Sequence, residues 1–385
     1  MKVKPKRMPK ASAIRAQRKK IKQKKIFQKK RFAGVRTPRD VILIKKDHDG
    51  RLVKPGENPI LSPRREHDWE AYQTFNPAAI FEGGKVQLLY RALGSDGVSR
   101  LGHAESTDGI TIDFRSDKPV FICGRRPEKD SAVSYEAMQY ISGGGCGGCE
   151  DPRLTVIGDT VYMVYVSFDG WSPPRIALTS IKLDDFLAKR WKWAGSKIIS
   201  PPDVIDKSGC LFPEIIRGKY VILHRIFPNI LLDYVDDLEF KHGTHLKGEY
   251  TIPVRKNKWD SRKIGAGAPP LKTKYGWLLI YYAVDNKDAS QYKIGAMLLD
   301  LTHPERVIAR SDAPILEPAE WYENAGHKAG VAYPCGAVVM NGTLFVYYGG
   351  ADTVVCVGTV NLDTFIEALM KSKTPKLKKH KSKMK

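Results

Sequence analysis

Two acids stand side by side in the segment Gly147–Gly170, "GGCEDPRLTVIGDTVYMVYVSFDG". Glu150 and Asp151 precede Pro152 and Arg153, at the mouth of a stretch whose β-branched and aromatic residues predict a buried hairpin. Cationic and hydroxyl groups recur at corresponding places along the chain. Arg91 and Arg100 lie in "YRALGSDGVSRLGHAES", and Asp169 and Arg175 in "FDGWSPPRIALTSI". Lys207 and Glu214 lie in "IDKSGCLFPE", His224 and Arg225 in "LHRIFPN", Lys263 in "SRKIGAGAPP", and Asp352 closes "YYGGAD". Several cations with few carboxylates suit an oxyanion such as phosphate, with arginine favoured for its planar fork. A carboxylic acid held near a bound phosphate and partly desolvated is expected to have a raised pKa and to serve as a general acid. Trp69, Phe75, Tyr282, Tyr333 and Tyr348 offer flat faces for a sugar ring. For Glu150, satisfying neighbouring backbone N–H groups explains the residue equally well.

The elements that must position these groups form a repeat. "FNPAAIFEGGKVQLLYRA", "CEDPRLTVIGDTVYMVYVS", "LFPEIIRGKYVILHRI", "GAPPLKTKYGWLLIYYAV" and "AYPCGAVVMNGTLFVYYGGAD" each hold a proline, an apolar strand, a turn and a second strand. Their prolines, at 77, 152, 213, 270 and 334, are 75, 61, 57 and 64 residues apart. Such spacing in an all-β chain predicts a five-bladed β-propeller, whose ring leaves no long exposed edge. A proline is tolerated at the first residue of a strand. If each begins an inner strand, Asn76, Asp151, Glu214, Ala268 and Tyr333 crowd a central axis.

Charge divides the chain into three parts. The net charge is +22, yet residues 1–36 hold 16 Lys/Arg and residues 371–385 hold 8, with no acid in either. The body, 37–370, is left with 40 basic residues against 42 acids and is near neutral. The expected domains are therefore a basic tail (1–36), a catalytic propeller (37–370) and a second basic tail (371–385). The tails have too few large apolar residues to fold alone and are expected to be disordered, with electrostatic contact to polyanions as their functional reading. Six cysteines in 385 residues do not make a disulfide framework. With no apolar run of about 20 residues and no signal peptide in view, the expected setting is a reducing cytoplasm. Cys146 and Cys149 form C-x-x-C, but no second pair completes a zinc site, and incidental thiols in a Gly-rich loop are the leading reading.

From Asn58 to Leu369 the chain resembles glycoside hydrolase family 130, the β-mannoside phosphorylases and related β-mannosidases. The resemblance rests on "FNPAAI", "LLYRA", "SRLGHAESTDGI", "EDPRLT", "FDGWSPPRIALTSI", "LFPEIIRGKYVILHRI", "KIGAGAPPLKT", "GWLLIYY" and "YYGGAD". It implies a five-bladed propeller and inverting phosphorolysis of a terminal β-mannoside, β-1,2- or β-1,4-linked, to α-mannose 1-phosphate. It implies Asp151 as general acid, delivering its proton through a sugar hydroxyl, and Asp352 as a residue holding the mannose. Motif match and charge together make Arg175, Lys207, His224, Arg225 and Lys263 the candidate phosphate ligands. Asn76, Arg91, Arg100, Glu214, Tyr282, Tyr333 and Asp352 are the candidate sugar ligands. No cofactor or metal is expected; inorganic phosphate is the co-substrate, and self-association into a homo-oligomer stays open.

The chain departs from that pattern in places. Many relatives carry Tyr-His-Gly where this chain has Tyr281-Tyr282-Ala283, and "YENAGHKAGVAYPCG" is unusual in His327 and Lys328. Phosphate arrives already anionic, so one acid suffices. An inverting hydrolase needs a second carboxylate ~6.5–9.5 Å from the first, and Glu214 is its candidate. A nucleic-acid-associated propeller acting through the tails is the alternative from another class, and a near-neutral body with a complete "EDPR" weighs against it.

Overall fold

A computed structural model describes residues 50–123, 145–170 and 172–371. The basic stretch 1–36 and residues 372–385 lie outside the described residues. What is described is mostly strand, in antiparallel groups that follow chain order.

The first group holds β1 (Gln73–Glu82), β2 (Lys85–Leu93), β3 (Val98–Ser106) and β4 (Phe114–Arg115). The second holds β5 (Gly147–Ile157), β6 (Thr160–Phe168), β7 (Arg175–Lys182) and β8 (Lys197–Ile198). Two parallel pairs, Val98 with Gly147 and Ser99 with Gly148, join these groups into one sheet. A third sheet-forming group runs β9 (Lys207–Leu211), β10 (Tyr220–Arg225), β11 (Ile230–Val235) and β12 (Tyr250–Ile252). The next comprises β13 (Lys263–Ala266), β14 (Leu271–Thr273), β15 (Gly276–Val284), β16 (Lys293–Leu299) and β17 (Val307–Arg310). The last comprises β18 (Ala332–Met340), β19 (Thr343–Gly350) and β20 (Val354–Asn361). Val53 and Leu61 bridge to Thr359 and Val355 on β20, so chain from before β1 borders the last sheet.

The strands are buried on both faces, which explains runs such as "GWLLIYYAV". Alternate residues point to opposite faces. On β15, Leu278 and Ile280 pack toward β18–β20, while Trp277, Leu279 and Tyr281 pack toward β10 and β11. Five apolar clusters lie between neighbouring groups. They include one between the first group (Leu88, Tyr90) and the last (Val338, Tyr347), alongside those between groups successive in the chain. Helix α1 (Leu183–Leu187) packs beside β6 and β7, and α2 (Trp321–Asn324) beside β19. Helix α3 (Leu362–Lys371) buries Phe365, Ile366 and Leu369 in the last interface. No helix among the described residues is long and apolar enough to cross a membrane.

The prolines do not start the inner strands. Pro77, Pro152 and Pro334 lie within β1, β5 and β18, each at a register shift. Proline cannot donate to the ladder, and a bulge excuses it. Pro213 follows the end of β9, and Pro270 separates β13 from β14.

Candidate active site

Bulging at the prolines sets the conformation of the residues before them. Asn76 and Asp151 both take left-handed backbone, φ 47° and 48°. A residue before proline is steered toward extended conformations, so both positions are strained, and Asn and Asp are the side chains that bear it best. The result aims two polar side chains at one point. Asn76 Nδ2 donates to Asp151 Oδ1 at 2.8 Å. Gly349 makes room for this pair, since a Cβ there would lie 2.1 Å from Asn76 Oδ1.

Arg91, opposite Phe75 in the β1–β2 register, is fully buried beneath the acids. Its Nη1 donates to Asp151 Oδ1 at 3.3 Å and its Nη2 to Glu150 Oε1 at 3.1 Å. Its Nε donates to Ser99 Oγ at 2.9 Å, and its plane covers the Phe75 ring at 4.7 Å. Glu150 also meets Lys207 Nζ at 3.6 Å. Arg153 ties three groups together: it donates to the Asp151 carbonyl at 2.6 Å, the Gly267 carbonyl at 3.1 Å and Tyr333 Oη at 3.3 Å. Burial pushes the Asp151 carboxyl up, but Arg91, Arg153, the Asn76 hydrogen bond and Lys207 outweigh it and hold it below the ordinary carboxylate range. The raised pKa expected for Asp151 is thus not found, because the cations and the Asn76 hydrogen bond around it outweigh its burial. Asp352, left-handed at φ 49°, is the carboxyl that burial pushes up, to about 6, with Lys328 pulling it down and Asp151 pushing it further up.

Across from the acids lies a group of hydroxyls and cations. Lys207 and Arg225 face one another across the β9–β10 register. Ser208, left-handed at φ 58°, has its Oγ 3.1 Å from Tyr282 Oη and 3.3 Å from Tyr333 Oη. The Tyr282 and Tyr333 rings are 4.5 Å apart, and Tyr292 stacks on Tyr282 at 5.9 Å. Lys263 donates to Tyr292 Oη at 2.5 Å, and both Lys263 and Lys328 lie over the Tyr292 ring, at 4.5 and 4.3 Å. Burial, then Arg225, Lys328, Lys207 and Arg262, pull Lys263 down to about 7. Burial likewise holds Lys207 below the ordinary lysine range, against the pull of Glu150 and Asp151.

The structure therefore brings together Asn76, Arg91, Asp151, Lys207, Arg225, Lys263, Tyr282, Tyr333 and Asp352. It separates three expected members, Arg100, Glu214 and His224. Arg100 pairs with Ala92, not Arg91, across the β2–β3 register, so alternation turns it to the other face, where it binds Asp96. Glu214 is exposed at the end of β9 opposite Lys207 and bonds Lys272. Arg175, at the start of β7, donates to the Ser200 carbonyl and lies 3.4 Å from His245, and its buried Nε has no partner among the described residues, so its part in the site stays open. His224 is wholly buried with both ring nitrogens engaged by carboxylates, Asp206 at 2.8 Å and Asp233 at 2.9 Å, so it cannot reach a ligand. Among the aromatics, Phe75 lies under Arg91, Tyr348 donates to Glu323 in the core, and Trp69 stacks on Tyr90. Residues first seen in the structure are Ser208 and Tyr292, with Arg153 as the clamp. All six cysteines are thiols. Cys149 Sγ lies 3.5 Å from the Ser99 carbonyl and 3.8 Å from that of Phe121, and Cys146 Sγ lies 3.2 Å from the Gly97 carbonyl.

A strained, buried acid set in arginines, facing a tyrosine-lined shelf that carries ammonium groups, is the equipment of a carbohydrate-active enzyme. The chain belongs to glycoside hydrolase family 130: the family model described as beta-1,4-mannooligosaccharide phosphorylase matches residues 53–371. It is 40% identical over 324 residues to the 1,2-beta-oligomannan phosphorylase of Thermoanaerobacter sp. (strain X514), covering 81% of this chain and 98% of that protein. It is 38% identical over 325 residues to the beta-1,2-mannobiose phosphorylase of the same organism, covering 80% and 97%. The fold is shared with the beta-1,2-mannobiose phosphorylase from Listeria innocua solved with beta-1,2-mannobiose. That match has a TM-score of 0.65 at 24% identity and covers 83% of this chain and 99% of the other.

Proposed function

We propose that the protein is an inverting phosphorylase of terminal β-mannosides, built on a five-bladed β-propeller, with Asp151 as general acid. The bladed ring is supported by five inter-group apolar clusters, one of which joins the first group to the last. The observation that carries the chemistry is the link Asp151–Arg91–Glu150–Lys207, which sets the acid beside the cations Lys207, Arg225 and Lys263. Those cations hold the anionic co-substrate; Asp352 and the tyrosines hold the sugar.

Phosphate at the cations would offset the charges that depress Asp151. The carboxyl then takes up a proton when the nucleophile docks, which couples acid readiness to phosphate binding. A phosphate oxygen bonds to the anomeric carbon as the glycosidic C–O bond breaks on the opposite face. The leaving oxygen takes the Asp151 proton by way of a sugar hydroxyl, and Asp151 regains a proton from the hydrogen phosphate group or from water. No base is needed. Glu214, the base that hydrolysis would call on, is exposed and bonded to Lys272.

The two relatives at 38–40% identity are named for β-1,2 linkages, so β-1,2-mannobiose is the substrate of choice and β-1,4-mannobiose the slower one. The test is incubation with each, with and without phosphate, followed by assay of α-mannose 1-phosphate and mannose. Phosphate-dependent release of α-mannose 1-phosphate is expected. Mannose release in phosphate-free buffer, unaltered by added phosphate, overturns the reading.

A further inference from the structure

His224 has no route to a ligand, yet it is bound by two carboxylates at the root of the cation group. Asp206 directly precedes Lys207, and His224 directly precedes Arg225. Lys207 and Arg225 are register partners, and the ladder shifts between Leu223 and Arg225. Side chains alternate along a strand, so His224 points away from the face that Arg225 serves. Its Nδ1 lies 2.8 Å from Asp206 Oδ2 and its Nε2 2.9 Å from Asp233 Oδ2. A carboxylate can only accept, so engaging both requires protons on both ring nitrogens.

Each carboxylate is anchored in turn. Asp206 Oδ1 accepts the backbone N–H of Arg225 at 3.2 Å. Asp233 accepts the backbone N–H groups of Lys247, Gly248 and Glu249 at 2.9–3.2 Å. Two carboxylates thus hold one imidazolium at the base of the strands that carry the two cations. Burial opposes the charge on His224, but Asp206 and Asp233 hold it up to about 9.

We propose that the Asp206–His224–Asp233 triad is the built-in positioning device of the Lys207–Arg225 anion site, with His224 held as an imidazolium. It fixes the strand ends from which the two cations project, and so their spacing. The inference deepens the phosphorolysis reading and rests on it.

Isothermal titration of the full chain with inorganic phosphate and, separately, with β-1,2-mannobiose tests it. His224→Gln and Asp206→Asn each remove a charge-assisted hydrogen bond, so phosphate is expected to bind about ten-fold more weakly. Mannobiose affinity is expected to change less than two-fold. A folded variant with unchanged phosphate affinity, or with both ligands weakened alike, overturns the proposal, because loose packing would not single out the anion. Wild-type protein that binds mannobiose but no phosphate overturns the phosphorolysis reading, and this inference with it. A readout free of any variant's folding is histidine ¹⁵N NMR of the wild type near pH 7.5. Both ring nitrogens of the buried histidine are expected to be protonated; a single neutral tautomer rejects the imidazolium.

Discussion

Glu150 and Asp151 on β5 share one guanidinium, Arg91, at 3.1 and 3.3 Å. On β10 and β13 the pattern is different. Among the described residues, no carboxylate forms an ion pair with Arg225 or Lys263; Lys263 instead meets the Tyr292 hydroxyl, and a buried Nε of Arg225 has no partner. The acids are matched by ion pairs with Arg91 and Lys207, whereas Arg225 and Lys263 have no such carboxylate partner among the described residues. A complete, buried network is costly to break, because removing one partner leaves a charge stranded. An incomplete one tolerates change in the resting protein and shows its loss when an anion should bind. The two sides should therefore fail differently.

The largest effect is expected on the acid side and on catalysis. Asp151→Asn keeps the shape, the left-handed tolerance and a partner for Asn76, but removes the transferable proton. General acids contribute about 10²–10⁴-fold, so kcat should fall by that factor in a chain that still folds. Turnover within a few-fold of wild type would remove Asp151 from its role. Arg91→Met comes next and breaks the same side by stability. It removes the guanidinium that two adjacent buried carboxylates share, which costs about 3–5 kcal/mol. The urea midpoint should drop accordingly, and a drop no larger than that of a surface substitution would show that Arg91 is not the keystone.

How much of this difference the sequence displays depends on the residue. Asp151 is legible because strain and chemistry coincide there: an acid before a proline, in an apolar run, has few structural reasons to exist. The repeats are legible because both faces of each strand are apolar, which only stacked groups require. Glu214 misleads because it follows its proline instead of preceding it; the position matching Asp151 is Phe212, which is buried. Arg100 and His224 mislead for a common reason. Charge and motif draw attention to them, but a strand sends neighbours to opposite faces. Arg225 and His224 cannot both face one site, and applying period two to "LHR" would have said so. Ser208 and Tyr292 carry no charge to mark them; their roles arise from backbone reversal and ring stacking that only the fold brings together.

A smaller effect should sharpen the contrast from the cation side. The Lys263 ammonium, pulled down to about 7, is partly neutral in the resting protein and must gain a proton as an anion docks. Affinity for sulfate, whose charge is constant in this range, should weaken as pH rises through about 7. The sign for stability is opposite. An unfolded lysine keeps its proton up to its ordinary value of 10.5, so the fold gains stability from this group as pH rises between those limits. Lys263→Arg stays charged and should flatten the sulfate profile near pH 7. A profile unchanged by that substitution would assign the pH dependence to another group.

The smallest effect on chemistry should come from the most basic parts of the chain. Residues 1–36 carry 16 Lys/Arg and 372–385 carry 7 Lys, with no acid in either, yet the site draws its cations from β9, β10 and β13. Long-range attraction of phosphate by remote charge is screened within about 10 Å at 0.1 M salt, and a neutral mannoside is not steered at all. Deleting 1–36 and 372–385 should therefore leave kcat/KM within about two-fold at that ionic strength. Lys371 is kept because it ends α3, whose Phe365, Ile366 and Leu369 pack against the last sheet. The deletion should nonetheless abolish salt-sensitive retention on a polyanion such as heparin, since a body with 41 basic and 42 acidic residues offers no comparable excess of cations. Retention that survives the deletion would place the polyanion on the site's own cations. Added inorganic phosphate should then compete it away, which ties the two kinds of positive charge to one experiment.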